Sequence, residues 1–314
     1  MENKIIILKG PTASGKTNYA SKLINSYPLE IISVDSVMVY RGLDIGSAKP
    51  TSEELKLCPH HLIDVCEPTE NYSAGEFYQD VQQLIQSVIR RGKIPLLVGG
   101  TMMYFRVLER GISQLPSANP TVRNQIDSEA AKNGWEKLHQ ELQRIDPNAA
   151  NKIDPSDKQR IQRAIEVHRI TGKPISSFHD EHKKPMDYEC LDLSLVPSKR
   201  DILYKRIENR FDSMLDQGLV SEVLHLLSQD LLTSSHNSMK SVGYKQICEF
   251  IENKCTLNEA RDKAIVATRR LAKRQLTWLR SDADSAVFDP LRQRSEVDIA
   301  NKVSEFLYYS LYIK

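Results

Sequence analysis

Lys4-Ile5-Ile6-Ile7-Leu8-Lys9 runs directly into Gly10-Pro11-Thr12-Ala13-Ser14-Gly15-Lys16-Thr17. Four consecutive apolar residues, three of them isoleucine, predict a strand buried on both faces, the pattern of a parallel sheet. The eight residues that follow fit the spacing G-x-x-x-x-G-K-[ST] of a phosphate-cradling loop. Glycines at both ends allow a tight curl in which successive N–H groups point inward, and the dipole of the next helix adds positive potential. Asn18 to Ile24 has helical character, so the motif sits between a strand and a helix, the context that gives it meaning. Lys16 supplies a point charge, and Thr17 a hydroxyl suited to Mg²⁺. On the motif alone the ligand is a polyphosphate such as ATP or GTP.

Leu29 to Ser36 reads as a second strand, with Asp35 and Ser36 at its carboxyl end. Ligands of open α/β sheets bind beyond the carboxyl ends of the strands, which puts both residues on the rim of the phosphate loop. A plain turn cap is the competing role for Asp35. Val39 to Pro50, with Gly42 and Gly46 at turn positions, reads as an ordered loop. Cys58-Pro59-His60-His61-Leu62-Ile63-Asp64-Val65-Cys66 holds potential metal ligands. Adjacent histidines of an extended segment face opposite ways and the spacing fits no zinc pattern, so a strand with polar edges is expected. Ser73 and Glu76 form an S-x-x-E capping box for a helix carrying Phe77, Val81, Leu84, Ile85 and Val88 at helical spacing. Lys93 to Val98 is a third strand, ending in Gly99-Gly100-Thr101 on the same rim.

The chain of 314 residues is long enough for one large domain or two, and its formal net charge is +2. A nucleic-acid partner must therefore be met by local basic clusters. Five cysteines without a C-x-x-C pair fit reduced, isolated thiols. Neither a leader peptide nor an apolar run approaching about 18 residues is visible, so a cytoplasmic location away from membranes is expected.

From about Leu115 to Val196 the character changes. Pro116, Pro120, Pro147, Pro155, Pro174 and Pro185 punctuate charged amphipathic runs at Val122–Ile145 and Asp157–Thr171. A mainly helical insertion at 116–195 is expected, interrupting a core of 1–115 and 196–314. In the second run Ile161, Ala164, Ile165 and His168 make the apolar face, with Gln159, Arg160 and Arg163 on polar faces. A strand at Leu191–Val196 and a helix from Ser198 to Gly218 follow. Lys240-Ser241-Val242-Gly243-Tyr244-Lys245 places two lysines and a tyrosine around a glycine. Ala267 to Arg280 concentrates basic side chains beside Trp278 with no acidic residue among them. Such a helix can hold phosphates and stack a splayed base, the usual way single-stranded RNA is read.

Gly10–Thr17, Ser33–Pro50, His60–Asp64, Gly99–Thr101, Gln159–Val167, Thr171–Pro174 and Ser241–Tyr244, in this order and spacing, closely resemble the bacterial tRNA dimethylallyltransferases, also called tRNA isopentenyltransferases. The resemblance runs from residue 4 to about 285 and differs at Ser47, where many relatives have threonine. It implies an α/β fold, a P-loop NTPase-like parallel sheet flanked by helices with a helical insertion domain. It also implies transfer of a dimethylallyl group from dimethylallyl diphosphate to N6 of adenosine 37 in tRNAs reading codons that begin with U. The loop Gly10, Pro11, Thr12, Ala13, Ser14, Gly15, Lys16 and Thr17, with Arg210, would hold the diphosphate, and Thr17 the Mg²⁺. Asp35 would act as general base, with Thr101 and Lys16 completing the catalytic set. The anticodon stem-loop of tRNA would meet Asp35, Ser36, Val37, Met38, Thr101, Arg123, Gln159, Arg160, Ile161, Gln162, Arg163, Lys240, Ser241, Val242, Gly243, Tyr244, Lys245, Lys273, Arg274, Gln275, Trp278 and Arg280. The target base would be extruded from its loop. One catalytic unit per chain suggests a monomer.

Two other classes share some of these features. A small-molecule kinase would use the same loop but leaves the late basic segments without a role. An NTP-switched RNA-binding protein needs a Walker-B aspartate, and the strand ending at Val98 runs into Gly99-Gly100-Thr101 without one.

Overall fold

The computed structural model describes residues 3–113, 115–179, 187–229 and 231–308; of the prolines that punctuate the insertion, Pro185 lies outside them. The elements in chain order are β1 (Lys4–Lys9), α1 (Lys16–Ser26), β2 (Leu29–Val34), α2 (Ser52–Leu57), β3 (His60–His61), α3 (Ala74–Arg90), β4 (Ile94–Gly99) and α4 (Met102–Arg110). There follow α5 (Pro120–Asn133), α6 (Trp135–Ile145), α7 (Pro147–Ala150), α8 (Lys158–Thr171), a 3₁₀ turn at Ile175–His179, and β5 (Glu189–Leu195). The chain continues through α9 (Arg200–Asp216), α10 (Leu219–Leu227), α11 (Tyr244–Ile251), α12 (Leu257–Ser281), β6 (Ala286–Phe288) and α13 (Ser295–Tyr308). The described residues fall into two compact units, one within 1–107 and 186–314, the other within 108–185.

In the first unit the described strands form one six-stranded sheet in the order β3-β2-β4-β1-β5-β6. Every pairing is parallel. Ile6, Leu8, Ile31, Leu96, Val98, Leu193 and Leu195 belong to one core cluster, each fully buried aliphatic side chain contributing about 1.5–3 kcal/mol. The His60–His61 segment is the short edge strand β3. His60 Nδ1 lies 2.6 Å from the Cys58 carbonyl and His61 Nε2 3.0 Å from Glu30, so both rings have local partners. The capping box forms as read: the Ser73 hydroxyl accepts from Glu76 N, and the Glu76 carboxylate from Ser73 N at 2.7 Å. β5 pairs with β1 from Glu189 to Ser194 and so belongs to this sheet, although the sequence reading places it at the end of the insertion.

Register fixes the rim. Lys9 is level with Gly99, and Gly99 with Val34. The residues that follow, Gly10, Gly100 and Asp35, therefore leave the sheet side by side. A Cβ on Gly99 would overlap the Val34 carbonyl, so glycine is required for this approach.

The second unit has its own core, including Ile126, Leu138, Leu142, Ile161, Ala164 and Ile165. The run read as Val122–Ile145 is two helices, because Gly134 (φ 81°) ends α5 and begins α6. Asp157 caps α8 by accepting from Arg160 N at 3.1 Å.

Gly99→Ala should lower the unfolding free energy by about 1–3 kcal/mol, the usual scale of overpacking. Urea unfolding followed by circular dichroism measures it, and an unchanged midpoint would show that the strand ends have room to part.

Candidate active site

The phosphate loop takes its shape from two left-handed residues, Ala13 (φ 62°) and Gly15 (φ 94°). Alternating handedness turns successive N–H groups to one side, a nest for anions. α1 starts with no side-chain cap and no acidic residue in its first turn, leaving the Lys16 and Thr17 N–H groups to a ligand. Lys16 Nζ donates to the Gly10 and Pro11 carbonyls at 2.8 Å each. The buried Ser14 hydroxyl has no hydrogen-bond partner.

Thr101 ties the second rim segment to the third. Its hydroxyl accepts from Ser36 N at 3.1 Å and donates to Ser36 Oγ at 3.3 Å. Asp35 Oδ1 accepts from Val37 N (2.8 Å) and Met38 N (3.2 Å), so the capping role considered for it is real. Its Oδ2 makes no hydrogen bond to the described residues, and Asp35 lines the cleft. One carboxylate thus fixes its own loop with one oxygen and presents the other.

The cleft has a volume of about 550 Å³, and Val98, Met102, Ile207, Phe211, Met214 and Leu271 supply apolar wall to it. None of these apolar residues is among the site residues expected from the sequence; Ile207, Phe211 and Met214 recur at helical spacing on α9, which is the one signal the sequence carried for them. Lys16 and Arg210 also line this cleft. The Arg210 guanidinium donates to the Ser47 carbonyl at 3.3 Å, its sole hydrogen bond among the described residues, although it carries five donors. Neither cation has an ion-pair partner among the described residues. Burial, with the neighbouring Arg210 charge and against the pull of Asp35, lowers Lys16 to about 7. Burial likewise lowers Arg210, again against Asp35. A second hollow of about 480 Å³ lies against Ala13–Tyr19, with Arg206 beside Arg210. Arg206 is a further cation that motif reading missed.

The late basic segments divide. Lys240, Ser241, Val242, Gly243, Arg274 and Trp278 line the cleft, with Trp278 38% exposed and the Arg106 guanidinium 5.4 Å from its ring centre. Lys245, Lys273 and Arg280 are exposed. Gln275 differs from an open RNA contact: its Oε1 accepts from Thr12 N at 3.0 Å and its Nε2 donates to the Gly100 carbonyl at 2.7 Å. It clamps the phosphate loop to the end of β4. Tyr244 is fully buried and donates to Glu222, so it offers no stacking face.

In the helical unit, Ile161 is core. Arg123 grips the fully buried Glu166 side chain through two bonds of 2.9 and 3.1 Å, and Arg163 holds its second oxygen at 2.7 Å. Burial alone raises the Glu166 carboxyl, but the bonds from Arg123, Arg163 and Asn119 N outweigh it and hold the group below its usual range. Gln162 donates to Asp127 at 2.7 Å. Gln159 and Arg160 are the exposed members of this set.

A central phosphate loop on a parallel sheet, with two cations and several apolar side chains lining one cleft, defines an anion-binding α/β enzyme of the P-loop kind. The IPP transferase family model matches residues 38–282, and the chain belongs to that family. It is 48% identical over 304 residues to a tRNA dimethylallyltransferase of Coxiella burnetii, with 96% of each chain covered. The solved tRNA isopentenylpyrophosphate transferase of Bacillus halodurans is similar at a TM-score of 0.73 and 34% identity over 99% of both chains. A eukaryotic dimethylallyltransferase solved while acting on tRNA gives 0.78 and 26% identity, covering 99% of this chain and 80% of that one. Among the described residues no helix is long and apolar enough to cross a membrane.

Because Lys16 sits at about 7, an anion that binds it draws a proton onto the amine. Affinity for inorganic diphosphate should therefore fall as pH rises above about 7, by up to about tenfold per unit from this group. Calorimetry across that range, compared with Lys16→Arg, isolates the effect. Equal slopes for the two proteins would show that Lys16 is already charged.

Proposed function

We propose that this protein transfers the dimethylallyl group of dimethylallyl diphosphate to N6 of adenosine 37 in tRNAs that read codons beginning with U. The observation that carries this reading is one cleft holding two unpaired, desolvated cations, Lys16 and Arg210, together with an apolar wall. An inorganic anion would match the cations but leave the wall uncovered. A diphosphate ester of a short hydrocarbon matches both.

The exocyclic amine is a weak nucleophile, and alignment supplies much of the rate. N6 attacks the allylic carbon, the carbon–oxygen bond to the diphosphate breaks, and Asp35 Oδ2 takes the proton that N6 gives up. Thr101 and Ser36, hydrogen-bonded to one another, hold the base at this junction. The nest at Ala13–Gly15, Lys16 and Arg210 stabilise the charge that accumulates on the departing diphosphate. Thr17, whose hydroxyl makes no hydrogen bond to the described residues, provides the hard oxygen ligand that Mg²⁺ prefers. When bound there, Mg²⁺ neutralises diphosphate charge.

The anticodon stem-loop meets Lys240, Lys245, Lys273, Arg274, Trp278 and Arg280 of the first unit. Gln159, Arg160 and the outward edges of Arg123 and Arg163 serve the helical unit. Extruding the base costs a few kcal/mol, offset by these contacts. The enzyme works as a cytoplasmic monomer.

Incubation with labelled dimethylallyl diphosphate and tRNA should move label into adenosine 37. Label moving instead from ATP to a metabolite, with none reaching tRNA, would overturn the assignment. Asp35→Asn keeps an oxygen for Val37 N and Met38 N but loses the base. Its single-turnover rate should drop about 10²–10⁴-fold with little change in tRNA affinity; a defect confined to tRNA binding would remove Asp35 from the chemistry.

A further inference from the structure

We propose that Glu222, a residue outside the cleft, is the positioning residue that sets the diphosphate ligand Arg210 through the Asp44–Ser47 loop. This inference rests on the reading of Arg210 as a ligand of the donor's diphosphate.

Glu222 lies in the first turn of α10. Its carboxylate takes hydrogen bonds from three consecutive backbone N–H groups. Oε2 accepts from Asp44 N (3.2 Å) and Ile45 N (2.6 Å), and Oε1 from Gly46 N (3.2 Å). The Tyr244 hydroxyl adds a fourth at 2.6 Å to Oε1. Each oxygen thus has two donors, the full complement of a well-satisfied carboxylate. Tyr244 also packs beneath the loop: a Cβ on Gly46 would come within 2.5 Å of its ring. The loop is pinned from two further directions. Ser47 Oγ donates to the Leu43 carbonyl at 2.6 Å, and Lys49 holds Asp44 Oδ1 at 2.6 Å.

The next carbonyl along, that of Ser47, accepts from Arg210. Gly46 and Ser47 line the cleft, whereas Glu222 does not. A guanidinium with one neutral partner has its orientation set by that partner, and the partner is set by the loop. A carboxylate in three amides is a charge-assisted clamp and stronger than a neutral cap. Glu222 therefore acts on the donor site at one remove, through the Ser47 carbonyl.

The test is a set of variants with diphosphate binding measured by calorimetry and steady-state transfer to tRNA. Glu222→Ala should weaken inorganic diphosphate binding and raise the donor KM about tenfold, the scale of one lost ionic hydrogen bond, with the KM for tRNA nearly unchanged. Glu222→Gln, which keeps one acceptor oxygen for two of the four donors, should lose about half as much on a logarithmic scale, and Tyr244→Phe should lie between it and the wild type. The decisive readout is coupling: in an Arg210→Ala background, Glu222→Ala should weaken diphosphate binding no further. Losses that multiply, or a diphosphate affinity unchanged in all three single variants, would overturn the inference. Should Glu222→Ala fail to fold, Glu222→Gln and Tyr244→Phe carry the same comparison in the Arg210→Ala background. Wild-type protein that binds no diphosphate would overturn the reading of Arg210 as a ligand and this inference with it, which separates that failure from a failure of Glu222 alone.

Discussion

The pairing of β4 between β1 and β2 is the constraint on which the site depends. Because Lys9, Gly99 and Val34 are level, the phosphate loop, the Gly99-Gly100-Thr101 turn and Asp35 emerge together. A one-residue slip in a parallel pair would turn each strand's side chains to the opposite face. It would also separate Thr101 from Ser36. Glycine at 99 lets the two backbones meet closely, and Gln275 from α12 then locks the loop to the turn with both ends of one amide.

A second regularity is electrostatic. Away from the cleft, the buried and half-buried cations are neutralised. Lys9 is held between Asp192 and Asp282, Lys49 between Asp44 and Asp64, and Arg123 and Arg163 share Glu166. Buried charge without an ionic partner is costly, and at Lys16 and Arg210 only neutral carbonyls of the chain answer it. The contrast inside one molecule separates a structural cation from one placed for a ligand.

The strands β1, β2 and β4 were legible because their apolar runs are buried on both faces and end in recognisable turn chemistry. The capping box at Ser73 and Glu76 was legible for the same local reason. Tyr244 and Gln275, expected among the tRNA contacts, are instead buried. A tyrosine between lysines and a glutamine in a basic helix look solvent-facing in one dimension, yet each is turned inward by a partner on another element: Glu222 for one, Thr12 and Gly100 for the other. The apolar wall from Ile207 to Met214 was hidden because core-facing and cleft-facing residues share one helical period. The break at Gly134 was missed because amphipathic periodicity continues across it. β6 was not anticipated, since three residues at a sheet edge carry no pattern.

The position of β1 also bears on how the chain is made. It leaves the ribosome well before its neighbour β5, which lies 183 residues further along the chain, as measured by the Lys9–Asp192 contact. At about 5–20 residues per second, roughly 10–40 s pass before β5 exists. Through that interval one edge of this six-residue strand, with four apolar residues at its centre, has no hydrogen-bonding neighbour. Such an edge recruits other chains, so the nascent protein is a natural client for chaperones until its second half arrives.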